Sequence, residues 1–270
     1  VSVGTLVKRA SVALDRVVPP PHGVTVLIYH RVGGGSGGAV DLDPEQFDRQ
    51  LAHLAAHHRV LRLGEALAEL GDPDQGRAAA VVVTFDDGTA DFVDHAVPAL
   101  TRHRIPATLY VATRFVEEQE DFPWGAPPAS WAGLAEAVAS GWVDIGSHTH
   151  DHRLLDRAGG EGGAVAADLD RSIELIRDRL GVDPLDFAYP KALPGSPAAE
   201  VAVRRRFRSA ALAGSRVNRP GGTDLHRIMR TPIQRSDGVG WFEAKAAGGL
   251  RLEGAIRATV ARARYRGAVT

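Results

Sequence analysis

The stretch VVVTFDDGTADF, residues 81–92, decides how the chain is read. Val81 to Phe85 is an unbroken run of β-forming, mostly apolar residues, the pattern of a strand covered on both faces. It stops at Asp86, Asp87 and Gly88. Two adjacent carboxylates at the end of a buried strand are costly unless a cation, a hydrogen-bond cage or solvent balances them. They can serve as a metal ligand and a base, because neighbouring acids in different environments divide such roles. Alternatively, an aspartate there caps the helix that follows.

The same layout recurs outward from this point. Upstream, Val24 to Tyr29 is a second apolar run, ending in His30 and Arg31 and followed by GGGSGG at 33–38. Downstream, WVDIGSHTHDH at 142–152 is a short strand pattern that runs into three histidines at alternate positions. His148 and His152 are four apart, so one helical turn would put both on one face, with His150 pointing elsewhere. Two imidazoles and an aspartate without a thiolate suit zinc or another divalent transition metal, with positions left open for water and substrate. A polar histidine-rich turn without a metal is the alternative.

Further strands are expected near 107–112, 186–189, 208–212 and 228–234. Helices are expected near 44–57, 93–104, 130–140, 164–180, 197–205 and 251–265. The first has Asp43 as N-cap and Pro44 in its first turn. Leu169, Ile173, Ile176 and Leu180 form one stripe, with Gly181 as the stop. Strand and helix alternate along the whole length, which implies a parallel sheet, open or closed into a barrel. The glycine-rich segments 33–38, 159–163 and 219–222 fall between elements. No interior linker divides the chain. Residues 23–270 read as one domain, preceded by an N-terminal helix and lead-in over 1–22. In that helix Val3, Leu6, Val7, Ala10, Leu14 and Val17 share a face, read as packing on the domain. Peripheral membrane contact is the weaker reading, because the polar face is only weakly basic.

Composition narrows the classes. The 270 residues include no cysteine, which removes disulfides and thiolate metal sites. A formal net charge of −1 gives no nucleic-acid footprint. No run of about 18 apolar residues suggests a transmembrane helix. Lys8 and Arg9 interrupt any signal-like apolar core, and cytoplasmic and peripheral cell-surface locations both stay open.

TFDDG at 84–88 followed by SHTHDH at 147–152 resembles the polysaccharide deacetylase family, also called the NodB-homology or carbohydrate esterase 4 family. RIPATLYVA at 104–112, FAYP at 187–190 and HRIMRTPI at 226–233 resemble its strand phrases. The resemblance implies an α/β fold, a distorted (β/α) barrel of about seven parallel strands. It implies hydrolysis of N-acetyl groups on amino sugars with a divalent metal, zinc foremost and Co²⁺, Ni²⁺ or Fe²⁺ as alternatives. A carbohydrate substrate is therefore expected. On that pattern Asp87, His148 and His152 are metal ligands and Asp86 is the base. Tyr189 stands where the family places a backbone oxyanion donor.

The acid is less direct. Family members commonly supply it from a late histidine, but residues 251–270 contain none, and His226 precedes a strand. LIYH at 27–30 resembles a subgroup in which an early strand histidine replaces the late one, so His30 is the expected acid. The arginine that orients the base in many members is missing beside FAYP, and Arg230 is the substitute. Lys191-Ala192 departs from the aromatic–glycine pair usual after FAYP. Trp124 could stack on a sugar ring or pin its own loop; Trp131, Trp142 and Trp241 read as core or helix-start residues. A deformylase or other amidohydrolase, and a non-catalytic glycan-binding relative, are the alternative functions.

Overall fold

The computed structural model describes residues 3–72, 74, 78–155 and 162–265. Residues 159–161 of the expected loop at 159–163 lie outside the described residues.

Seven strands form the barrel: β1 (Val24–Tyr29), β2 (Ala80–Phe85), β3 (Ala107–Val111), β4 (Val143–Ser147), β5 (Asp186–Ala188), β6 (Ser209–Ala213) and β7 (Ile228–Pro232). Each pairs in parallel with the next in sequence, and β7 returns to β1, so the sheet closes. The β1–β2 seam runs the full six residues, from Val24 beside Ala80 to Tyr29 beside Phe85. The β4–β5 seam is the shortest, with Ser147 beside Phe187 as its one register pair. The barrel expected from the resemblance is therefore present, with seven parallel strands.

Closure makes both faces of each strand interior, which is why β1, β2 and β3 are buried at every position. Alternate side chains go to different cores, as a two-residue repeat requires. Leu27, Tyr29, Val83, Phe85 and Leu109 pack in one cluster with Phe47, Leu51 and Leu54 of helix α2. Val24, Val26, Val82, Tyr110 and Ile228 belong to a second cluster.

The helices are α1 (Val3–Val17), α2 (Pro44–His57), α3 (Leu63–Gly71), α4 (Val97–His103), α5 (Thr113–Glu118), α6 (Trp131–Ala139), α7 (Gly162–Leu180), α8 (Pro197–Arg204), α9 (Gly238–Ala246) and α10 (Arg251–Tyr265). Asp43 caps α2, accepting from the amides of Glu45 at 2.9 Å and Gln46 at 3.3 Å. Gly181 ends α7 with φ +67°. The helix expected at 93–104 is divided into a π-helical turn, Phe92–Ala96, and α4. Three short helices, α3, α5 and α9, were not expected. Leu63, Ala66, Leu67 and Leu70 of α3 pack into the second cluster. Arg62 just before it binds Gly141 O and Asp144, at the start of β4.

Helix α1 forms where expected, but its orientation corrects the reading. Lys8 and Ser11 are turned inward and buried, while Leu6, Leu14 and Val17 face outward. The cause is a buried polar cluster. Lys8 Nζ lies 2.6 Å from Asp237 Oδ1, and Lys245 Nζ donates to Asp237 Oδ2 at 2.8 Å and to Pro232 O at 2.7 Å. No described helix is long and apolar enough to cross a membrane.

Candidate active site

The sheet ladder continues past the strand ends and fixes the residues that follow them. The Asp86 amide donates to Tyr29 O at 3.1 Å, the Ala112 amide to Asp87 O at 3.0 Å and the His148 amide to Val111 O at 2.9 Å. Asp86, Asp87 and His148 are thus set at one end of the barrel, outside the C-terminal ends of β2 and β4, where parallel sheets place their ligands. Asp87 has φ +78°, a left-handed conformation that is strained for a residue with a side chain.

His148 and His152 do not sit on a helical turn, contrary to the spacing argument. The segment after β4 is a loop in which Thr149 and His152 take φ +71° and +56°. Side chains fold it: Thr149 Oγ1 accepts from the His152 amide at 2.8 Å, and Ser147 Oγ accepts from the Thr149 amide at 3.2 Å. Asp168 of α7 accepts from the amides of His150 at 3.0 Å and Asp151 at 2.9 Å. Sequence reasoning missed Asp168, whose position in a helix 18 residues downstream carries no signal of this role. His150 turns aside as expected, with Nδ1 3.0 Å from Thr113 Oγ1.

The loop brings His148 Nε2 to 3.6 Å and His152 Nε2 to 3.3 Å from Asp87 Oδ1. These three residues form the one candidate metal group among the described residues. The tautomer of His148 tests the fit. Its Nδ1 lies 2.8 Å from Ala188 O, which can only accept, so Nδ1 carries the proton and Nε2 presents a lone pair. Burial pulls this imidazole down to about 4, so it is neutral near pH 7. A lone pair facing a carboxylate oxygen at 3.6 Å calls for a cation between them. Two imidazoles and one carboxylate suit zinc or a similar divalent ion.

Asp86 faces the same space but is held differently. Arg230, fully buried in β7, donates to Oδ1 from Nη1 at 2.5 Å and to Oδ2 from Nη2 at 2.8 Å. Burial alone would raise the Asp86 pKa, but the Arg230 guanidinium together with His148 and His30 outweighs it and holds the group below the usual carboxylate value. Arg230 Nη1 also reaches Thr84 Oγ1 at 3.3 Å. Burial also pushes Asp87 up, yet its hydrogen bond to His152 and the surrounding histidines bring the balance well below the usual value.

Asp86, Asp87, His148 and His152 line a cavity of about 530 Å³ together with His30 and Trp124. His30 follows β1 directly, and its Nδ1 is buried without a hydrogen-bond partner. Trp124 stacks on Phe122 at 4.9 Å between centroids and meets His152 edge-on at 5.6 Å. The Lys191 ammonium lies 4.6 Å from the Trp124 ring centroid. The wall near FAYP is formed by Lys191 and Ala192, both in left-handed backbone conformations.

Tyr189 does not line the cavity. Its amide donates to Ala211 O at 3.1 Å and its ring packs on Phe187, so the sheet and core have taken both its parts. His226 is also elsewhere, with Nε2 2.8 Å from Phe207 O. Asp91, at the end of the opening stretch, was missed. It accepts from the Val32 amide at 2.9 Å and pairs with Arg31 at 3.4 Å, holding the segment that follows His30.

A closed parallel barrel with a histidine–histidine–aspartate group and a clamped second aspartate at one mouth defines a candidate metal-dependent hydrolase. A family model described as polysaccharide deacetylase matches residues 74–208, half of the chain. The chain belongs to the polysaccharide deacetylase family. Among solved structures, IcaB from Ammonifex degensii is similar over 85% of this chain and 98% of its own, with 28% identity and a TM-score of 0.73. The Streptococcus pyogenes deacetylase PplD, in complex with acetate, shares the fold at 18% identity and a TM-score of 0.73, over 84% of this chain and 99% of its own. Among curated proteins, YxkH of Bacillus subtilis is 23% identical over 137 residues, 50% of this chain. That match spans 46% of the length of YxkH, less than half of the relative.

Proposed function

We propose that the protein hydrolyses the N-acetyl group of an amino sugar, in a polysaccharide or a smaller glycoconjugate, and releases acetate. The carrying observation is the free Nε2 of His148 beside Asp87 and His152, a ligand set for a divalent metal, with ionised Asp86 next to it. Membership of the polysaccharide deacetylase family supports the substrate class. A zinc-like ion held by Asp87, His148 and His152 would supply Lewis acidity toward the amide carbonyl and a water.

The rest falls to the chain's own side chains. Asp86 takes the proton of the attacking water. Arg230 fixes the orientation of that carboxylate and keeps it ionised. The amide nitrogen must gain a proton to leave as an amine, and His30 gives it. A buried ring nitrogen without a partner suits a group kept for a ligand rather than for the fold. Trp124 offers an apolar ring face at the rim for a sugar.

The test is product analysis by mass spectrometry across N-acetylglucosamine oligomers, peptidoglycan fragments and small N-acetyl glycosides, with Asp86→Asn as the blank. Acetate from one of these, absent in the blank, is the expected result. Formate from a formamido sugar and no acetate would reassign the acyl group. No product from any of them, with metal bound, would leave a glycan-binding relative.

A further inference from the structure

Seven of the eleven large apolar side chains exposed among the described residues lie on or directly after two helices that pack together, α1 and α10. On and just after α1 these are Leu6, Leu14, Val17 and Val18; on α10 they are Leu252, Ile256 and Val260. The spacing is helical in both cases, so each helix shows an apolar stripe to solvent. Monomeric proteins seldom leave so concentrated an apolar face without a use for it.

The polar residues have gone the other way. Ser11 Oγ accepts from the Leu252 amide at 3.2 Å, and Asp15 accepts from the Leu250 amide at 2.5 Å and from Arg251 at 3.0 Å. Glu253 is 3% exposed, near Lys245. The two helices carry no other carboxylate, so every acid on them is spent inward. Arg9 and Arg16 are exposed on α1. The outward side of α1 therefore carries an apolar stripe and two arginines but no carboxylate, in a chain whose formal net charge is −1.

We propose that α1 and α10 together form a docking face for an anionic lipid surface. An apolar stripe flanked by arginines is the composition that lies in the headgroup layer, with the side chains inserted and the guanidinium groups on lipid phosphates. A second copy fits less well. Self-association would set arginines against arginines with no outward carboxylate to pair them.

Co-sedimentation of the full chain tests this with vesicles of phosphatidylcholine alone and vesicles containing about one-third phosphatidylglycerol. The protein binds the anionic vesicles, and salt weakens the binding. The double variant Leu14→Ser/Ile256→Ser binds at least about tenfold less, with an unchanged circular dichroism spectrum, since both positions are exposed. Arg9→Glu/Arg16→Glu loses the preference for the anionic lipid. Absence of binding to both vesicles overturns the proposal, as does equal binding by wild type and variants. A dimer in light scattering that Leu14→Ser splits overturns it too, and gives the face to a second copy.

Discussion

Arg230 holds Asp86 by both carboxylate oxygens, at 2.5 and 2.8 Å, although 144 residues separate them in sequence. Parallel closure makes this possible: β7 lies beside β1 and β1 beside β2, which delivers Asp86. Both groups are buried, so neither can be removed alone without stranding the other. Arg230→Met is expected to cost about 3–5 kcal/mol in chemical denaturation, because it leaves an unpaired buried carboxylate. The double variant Arg230→Met/Asp86→Asn regains most of that stability and none of the activity. Equal stability of the single and double variants would mean that the stranded carboxylate is not the source of the loss.

His30→Ala is expected to lower kcat by about 10²–10⁴ while leaving metal content per chain intact. Rate and metal are measured on the same preparation. Loss of metal with the rate would make His30 a ligand or a prop rather than the proton donor.

Trp124 is expected to act in binding. Trp124→Ala should raise KM about tenfold with little change in kcat, the sign of an interaction made equally in ground and transition states. A fall in kcat at constant KM would show that the indole matters instead by supporting His152, which it meets edge-on.

The glycine-rich loop over 33–38 is tied down by Asp41, which accepts from the Gly34 amide at 3.0 Å and from the Ser36 amide and hydroxyl at 2.7 Å each. Burial pushes the Asp41 carboxyl up, but Ser36, Gly34 and Arg31 outweigh it, and its pKa falls below the usual value. The unfolded group therefore binds protons more readily than the folded one. Its stabilisation is complete above the unfolded pKa of about 4 and is lost as pH falls through the folded value. Hydrogen-exchange protection of the Gly34 and Ser36 amides should fall in that acid window, and in Asp41→Ala at neutral pH as well. Protection that is unchanged in acid would sink this account of the loop.

Much of the fold could be read directly, for a physical reason. Strands buried on both faces write themselves as continuous apolar runs, and all seven barrel strands fall within two residues of expectation. Asp86, Asp87 and His148 were legible because they directly follow strand patterns, whereas His152 was read from its spacing to His148 on a helical turn that the structure replaces with a loop. What escaped depends on distant contacts. The short helices α3, α5 and α9 owe their place to packing on the barrel. The left-handed turn at Thr149 and His152 depends on Asp168, which no local pattern links to it. Tyr189 illustrates the limit of carrying a role over by resemblance, since its amide is spent on Ala211 O. In α1 the periodicity was right and the facing wrong, because Asp237 draws Lys8 inward.

The central claim is that Asp87, His148 and His152 hold a divalent metal on which deacetylation depends. Metal per chain and acetate release from N-acetylglucosamine oligomers, measured together before chelation, after it and after zinc is restored, test it most directly. The account predicts about one ion per wild-type chain, loss of metal and acetate together on chelation, and recovery of both. His152→Ala should bind the ion about 10-fold or more less tightly and release no acetate. Acetate release that persists in the metal-free protein, or in His152→Ala without metal, would contradict it.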